Sequence, residues 1–313
     1  MQTIRKISDL KIGHKVILSE RQSRLTKLPR KFTISSQDEI FKLSSAKFDS
    51  VHINTVRSVA KKNIRDKTSQ ATSEKKKPKN PEERAKLIHQ ESISVSRELF
   101  KNPNLEAIKN AKNAANIIAQ YIKQDEQVAM QLLALNGYDY TTHGHSVRTA
   151  LVATCFAQFH LKCSNSELSE LAIGFFLHDI GKTKVDPNIL NKPDKLTDEE
   201  MELMKKHSLL SYRILEKTPS FSKICGIIAL QHHERNDGTG YPMGITGDRI
   251  SEPAKICTLA DIYDALTSKR SYKAAMKPAD ALLLMRTKMI GHFDRNLFIK
   301  FITMFSPKAH LSP

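Results

Sequence analysis

Five apolar segments in the second half of the chain each carry a histidine or an aspartate, and this pattern limits the fold more than any other feature. They are "HGHSVRTALVA" with His145, "LHDIGK" with His178 and Asp179, "MKKHSLL" with His207, "ICGIIALQHHE" with His232 and His233, and "ICTLADIYDAL" with Asp261. One buried imidazolium or carboxylate is costly and is usually satisfied by a neighbour. Five helices that each offer one point instead to convergence on metal ions. Imidazole with carboxylate and no thiolate suits Fe, Mn, Zn, Co or Ni. Five histidines and two aspartates are too many for one tetrahedral site. Two ions ~3.5–4 Å apart, sharing a hydroxide and clamping a phosphate, fit the number better. In "LHDIGK" the imidazole then binds one ion while the adjacent carboxylate bridges both.

The rest of the chain divides by composition. Residues 1–58 read as a small α+β module: "HKVILS" and "FDSVHIN" alternate like strands, and "SSQDEIFKLSSA" has helical spacing after an N-cap serine. Residues 59–102 read as a basic linker, because "KKNIRDKTSQATSEKKKPKNPEERAK" is charged, poor in apolar residues and broken by two prolines. Residues 103–313 read as an all-helical domain. There Ile108, Ala111, Ala115, Ile118 and Ile122 repeat at three and four residues and form one apolar face. The net charge is +17, and residues 1–100 hold 23 Lys and Arg against 11 Asp and Glu. The excess is thus mainly N-terminal, and reads as a solvated linker or as attraction for anionic partners. Aromatic interleaving and zinc, helix-turn-helix or RNP-like patterns are missing, so specific nucleic-acid binding is not expected. Cys155, Cys163, Cys225 and Cys257 form no CxxC pair and read as reduced core residues. Neither a signal-peptide h-region nor an apolar run of the ~18 residues that span a bilayer is visible, which suggests the cytoplasm.

Two more motifs flank these ligands. In "HHERNDGTGYP", His232 to Pro242, glycines make a tight loop directly after a histidine pair, where backbone N–H groups can approach an anion. Gly240 and Tyr241 are the candidates there, and Tyr241 either meets a substrate or pins the loop. In "DIYDALTSKRSYK", Asp264 follows Asp261 by one turn and faces the same side. Arg270 and Lys273 lie three apart and have the chemistry to hold phosphates.

These motifs, in this order from about Gly137 to Phe301, resemble the HD-GYP family, a branch of the HD metal-dependent phosphohydrolases. "IL-KP-KLT-EE" from Ile189 to Glu200 adds to the likeness. "LKIGHKVIL" and "FDSVHINT" resemble a small domain often found ahead of HD-GYP domains. The resemblance implies a mainly α fold with an all-helical HD-type metal-hydrolase domain behind a small α+β domain. It implies hydrolysis of cyclic di-GMP to pGpG, and onward to GMP, by attack of a metal-bridging hydroxide. The implied ligands are His145, His178, Asp179, His207, His232, His233 and Asp261, around two divalent ions, iron first and manganese second. Asp179 bridges, and Lys182 neutralises charge at the scissile phosphate. Arg270 and Lys273 hold substrate phosphates. Some relatives carry a glutamate four residues before the first histidine, where it serves a third metal. Thr141 stands there and His143 is off the face, so two metals are expected. The alternatives are a slow or inactive nucleotide sensor acting through a protein partner, and a hydrolase of another cyclic dinucleotide.

Overall fold

The computed structural model describes residues 2–6, 15–26, 28–34, 43, 50–54, 80–134, 142–269 and 274–305. The chain forms two units, Met1–Lys75 and Lys76–Pro313.

The first unit is built on strands β1 (Gln2–Lys6), β2 (Lys15–Ile17), β3 (Lys31–Thr33) and β4 (Ser50–Asn54). All pairings are antiparallel, in the order β1-β4-β2-β3. Gln2 pairs with Asn54 and Lys6 with Ser50, while Val16 lies opposite Phe32 on one side and Ile53 on the other. Helix α1 (Glu20–Thr26) connects β2 to β3. The Ser19 hydroxyl accepts from Gln22 N–H at its start, and the Gln22 side chain accepts from Ser19 N–H. Val16, Leu18, Leu28, Ile34, Leu43 and Val51 form the core. The strands expected from "HKVILS" and "FDSVHIN" are β2 and β4. Of the helix expected over residues 35–46, all but Leu43 lies outside the described residues.

The second unit is helical, with no strand among its described residues. Its first helix, α2 (Pro81–Lys101), starts where the Asn80 side chain accepts from Glu83 N–H and Pro81 supplies a preset φ. Ala85, Ile88 and Leu99 on α2 are buried in the same apolar core as the helices that follow. This corrects the linker expected over residues 59–102: its second half is a core helix. Its contact face is made partly of Ala85, Ser92 and Ser96, small residues that pack closely yet add little hydropathy among the surrounding charges.

Helix α3 (Leu105–Gln124) buries the expected face, from Ala107 and Ile108 through Ile118 to Ile122. Each fully buried isoleucine of this face contributes about 1.5–3 kcal/mol. Helices α4 (Glu126–Ala134), α5 (Thr142–Leu161) and α6 (Asn165–Leu177) follow. A Ser164–Glu167 capping box starts α6, whose last seven residues, Leu171 to Leu177, are all buried. Such an all-round apolar helix lies inside a layer of others, and α6 packs on α3, α5 and α10. A 3-10 turn, Ile180–Lys184, leads to α7 (Pro187–Leu190) and α8 (Asp198–Lys205). Then come α9 (His207–Glu216), α10 (Lys223–Gln231), α11 (Glu252–Thr267), α12 (Pro278–Lys288) and α13 (Arg295–Thr303). The protein is mainly α, with a small α+β N-terminal part. Among the described residues no helix is long and apolar enough to cross a membrane.

Candidate metal centre

The ends of α6, α8 and α10 meet α5 and α11 at one place, and each brings a histidine or aspartate. His178 Nδ1–H donates to Phe175 O at 2.7 Å, His207 Nδ1–H to Met204 O at 2.7 Å, and His232 Nδ1–H to Ala229 O at 2.8 Å. All three acceptors are last-turn carbonyls, where the helix leaves backbone acceptors with capacity for a side-chain donor. One device thus fixes three rings with Nε2 as a bare lone pair aimed away from the helix end. Burial disfavours the charged form of His207, His232 and His233. It pushes His207 down to about 4 and His233 to about 3, and holds His232 well below the usual imidazole range.

Asp179 sits among these lone pairs, 1% exposed. Its Oδ1 is 3.2 Å from His207 Nε2 and 3.8 Å from His232 Nε2. Its Oδ2 is 3.4 Å from His178 Nε2 and 3.7 Å from His145 Nε2. Burial opposes ionisation of Asp179, but Lys182, His178 and His207 outweigh it and hold the carboxyl well below its ordinary range. Lys182 Nζ lies 2.5 Å from Oδ2. Asp261 faces the same space, Oδ1 2.9 Å from His145 Nε2 and Oδ2 3.8 Å from His233 Nδ1. Burial opposes its ionisation too, and the hydrogen bond and charge of His145 overcome that and lower it.

The seven residues fall into two groups, Asp179, His207, His232 and His233 in one and His145, His178 and Asp261 in the other. Within each group, one donor atom per residue lies within 4.8 Å of the others. His178 Nε2 and Asp179 Oδ1 are buried with no hydrogen-bond partner. A neutral imidazole already donating through Nδ1 and an ionised carboxylate are both acceptors only on the faces they turn to each other. Converging acceptors with no hydrogen between them fit divalent cations, and the donor set of nitrogen and oxygen suits a first-row transition metal.

His145 is the exception in protonation. Burial disfavours its charge, but hydrogen bonds to Asp261 and Asp264 together raise it to about 10. Its Nδ1 contacts Asp264 Oδ2 at 2.7 Å. Asp264 is 0% exposed and also accepts from Arg148 Nε at 2.6 Å and the Ser268 hydroxyl at 3.0 Å. Asp264 therefore stands behind His145, while Asp261, one turn away, faces the centre. A carboxylate behind a ligand histidine orients the ring and raises its basicity. Arg148, Ser268 and the backing role of Asp264 are not evident from sequence spacing.

Gly181 explains why the His-Asp pair is followed by a glycine. A Cβ there would collide with the His207 carbonyl oxygen and lie 2.5 Å from Ser211 N. Gly181 N–H instead donates to Ser211 Oγ at 2.7 Å, clamping the turn after Asp179 to the first half of α9. Gly181→Ala is expected to cost about 1–3 kcal/mol through overpacking and to lower metal content by separating Asp179 from His207. Thermal unfolding and metal analysis of the variant check this; native values in both would contradict the clamp.

In the "HHERNDGTGYP" loop, Glu234 is 1% exposed and accepts from Met243 N–H at 2.6 Å and Ile245 N–H at 3.1 Å. Sequence reading assigned it no part. A Cβ on Gly240 would lie 2.5 Å from Glu234 Cα and 2.6 Å from His233 O, so the loop folds back on its own start. Tyr241 N–H donates to His233 O at 3.1 Å, and the two rings lie 4.7 Å apart at 31°. Tyr241 thus pins the loop against His233. The Thr258 hydroxyl, on α11, donates to His232 O at 2.8 Å. Thr141, Arg270 and Lys273 lie outside the described residues, as does the side chain of His143.

Residues 127–297 match the family model described as HD domain. The chain is 35% identical over 193 residues to a cyclic di-GMP phosphodiesterase of Pseudomonas aeruginosa, covering 62% of this chain and 46% of that one. It is 35% identical over 206 residues to a cyclic di-GMP phosphodiesterase of Thermotoga maritima, covering 63% and 55%. It is 40% identical over 157 residues to 3'3'-cGAMP-specific phosphodiesterase 3 of Vibrio cholerae, covering 50% and 34%. The chain thus spans about half or less of the length of these curated relatives. A solved structure of an HDG"Y"P protein of Bdellovibrio bacteriovorus shares its fold, with a TM-score of 0.61 and 19% identity over 97% of this chain and 99% of that one. Matched over more than half its length, and with the HD-GYP motifs in order, this chain belongs to the HD-domain family.

Proposed function

We propose that the chain is a metal-dependent phosphodiesterase that opens cyclic di-GMP to pGpG, with GMP as the product of a second cut. The observation that carries this reading is Asp179, whose two oxygens each face a different pair of histidine Nε2 atoms. Asp179, His145, His178, His207, His232, His233 and Asp261 would hold two divalent ions, iron or manganese, with Asp179 placed between the two groups. Such ions, when bound, make water nucleophilic at neutral pH and draw charge from phosphate oxygens. Lys182, beside Asp179, offers its ammonium to the charge that develops on the phosphate. Arg270 and Lys273 hold substrate phosphates, and Tyr241 and Gly240 shape the rim above His233. The α+β unit at the start serves regulation or a protein partner. Relatives named for cyclic di-GMP and for 3'3'-cGAMP both support a cyclic dinucleotide, and the Vibrio cholerae relative keeps 3'3'-cGAMP as the second reading.

The test is chromatography of cyclic di-GMP and 3'3'-cGAMP after incubation with the metal-loaded chain. The expected result is consumption of cyclic di-GMP with pGpG appearing first. Faster turnover of 3'3'-cGAMP would transfer the assignment to that substrate. Nucleotide bound but never cleaved would make the chain a sensor instead.

A further inference from the structure

We infer that Lys205 is a second anion-binding residue of this site, one that holds the phosphate of a cyclic dinucleotide away from the metals. The inference rests on the phosphodiesterase reading above. A cyclic dinucleotide carries two phosphodiesters, and when one reacts the other needs a cation at the rim. Lys205 is in the last turn of α8, two residues before His207. Its Nζ stands 5.7 Å over the Tyr241 ring, and that ring packs at 4.7 Å on His233 and edge-on to His207 at 6.3 Å. Tyr241 therefore connects the Lys205 ammonium to two residues of the metal centre. The lysine side chain is 35% exposed, so an arriving phosphate can reach it.

Its acceptor is Glu202 Oε1 at 2.6 Å, on a side chain 68% exposed. An exposed pair of this kind adds little to stability, and exchange of the carboxylate for a phosphate costs little. The bland alternative is a lysine that merely complements the C-terminal end of α8. Lys206, its exposed neighbour at the same helix end, provides the control for that.

The experiment compares kcat/KM for cyclic di-GMP with kcat/KM for bis(p-nitrophenyl) phosphate, a diester with a single phosphate. Metal content is measured on every sample. Lys205→Met is expected to lower this ratio about tenfold, the scale of one hydrogen bond to a charged group, and to do so by raising KM. Lys205→Arg restores most of it, and Lys206→Met leaves the ratio at the native value. A ratio within twofold of native in Lys205→Met overturns the assignment, as does an equal fall in Lys206→Met. A native chain that cleaves the single-phosphate diester but no cyclic dinucleotide instead removes the substrate reading itself, and the role of Lys205 with it.

Discussion

Asp179→Ala is expected to remove metal from both groups of ligands together and to lower phosphodiester turnover by on the order of a thousandfold or more. The reason is geometric. Oδ1 of this one carboxylate faces His207 and His232, and Oδ2 faces His178 and His145. Alanine leaves those imidazoles, three fixed by backbone carbonyls and His145 by Asp264, converging on a space without the carboxylate that would offset two cations. The backbone hydrogen bonds of the turn, Lys182 N–H to Asp179 O among them, do not involve the lost carboxylate. Circular dichroism of the variant should therefore match the native chain while metal analysis and turnover fall together. Full metal content with native turnover in a folded Asp179→Ala chain would contradict the bridging position.

The largest stability effect is expected at Arg148. This side chain is 2% exposed, and its Nε lies 2.6 Å from Asp264 Oδ1. Asp264 is itself fully buried and also serves His145 and Ser268. Arg148→Ala leaves a carboxylate in the interior without its guanidinium, a loss of about 3–5 kcal/mol. In a unit of this size that lowers Tm by roughly 6–20 °C. Weakened support of His145 is expected to reduce metal affinity by about 10–100-fold. Thermal unfolding of the metal-free and metal-loaded chain separates the two effects, because only the second disappears without metal. A Tm within a degree or two of native in the metal-free state would show that the pair adds no net stability.

What could be read from the sequence depended on how local the cause was. The α3 face was legible because Ile108, Ala111, Ala115, Ile118 and Ile122 repeat at helical spacing, and the structure buries all five. The seven His and Asp residues stood out because polar groups at the ends of apolar helices need a reason to be there, and the structure brings them into one space. Helix α2 was missed because its buried face relies on alanine and serine between charged residues, which resembles a solvated linker. The support of His145 was missed for a different reason. Arg148 and Asp264 are 116 residues apart, and no spacing rule links them. The sequence alone does not show why Gly240 must lack a side chain: the contact that excludes one is with the loop's own backbone at His233 and Glu234. Short strands such as β1 and β3 depend on their partners in the sheet more than on their own pattern.

The most direct test of the central claim is metal analysis of chain purified without oxygen, with cyclic di-GMP turnover followed on the same sample. The account predicts about two ions per chain, iron or manganese, as a dinuclear phosphodiesterase requires, with pGpG formed in proportion to metal content. A folded chain that takes up no metal after reconstitution with iron and manganese would contradict it, and would return the seven residues to an ordinary buried hydrogen-bond network.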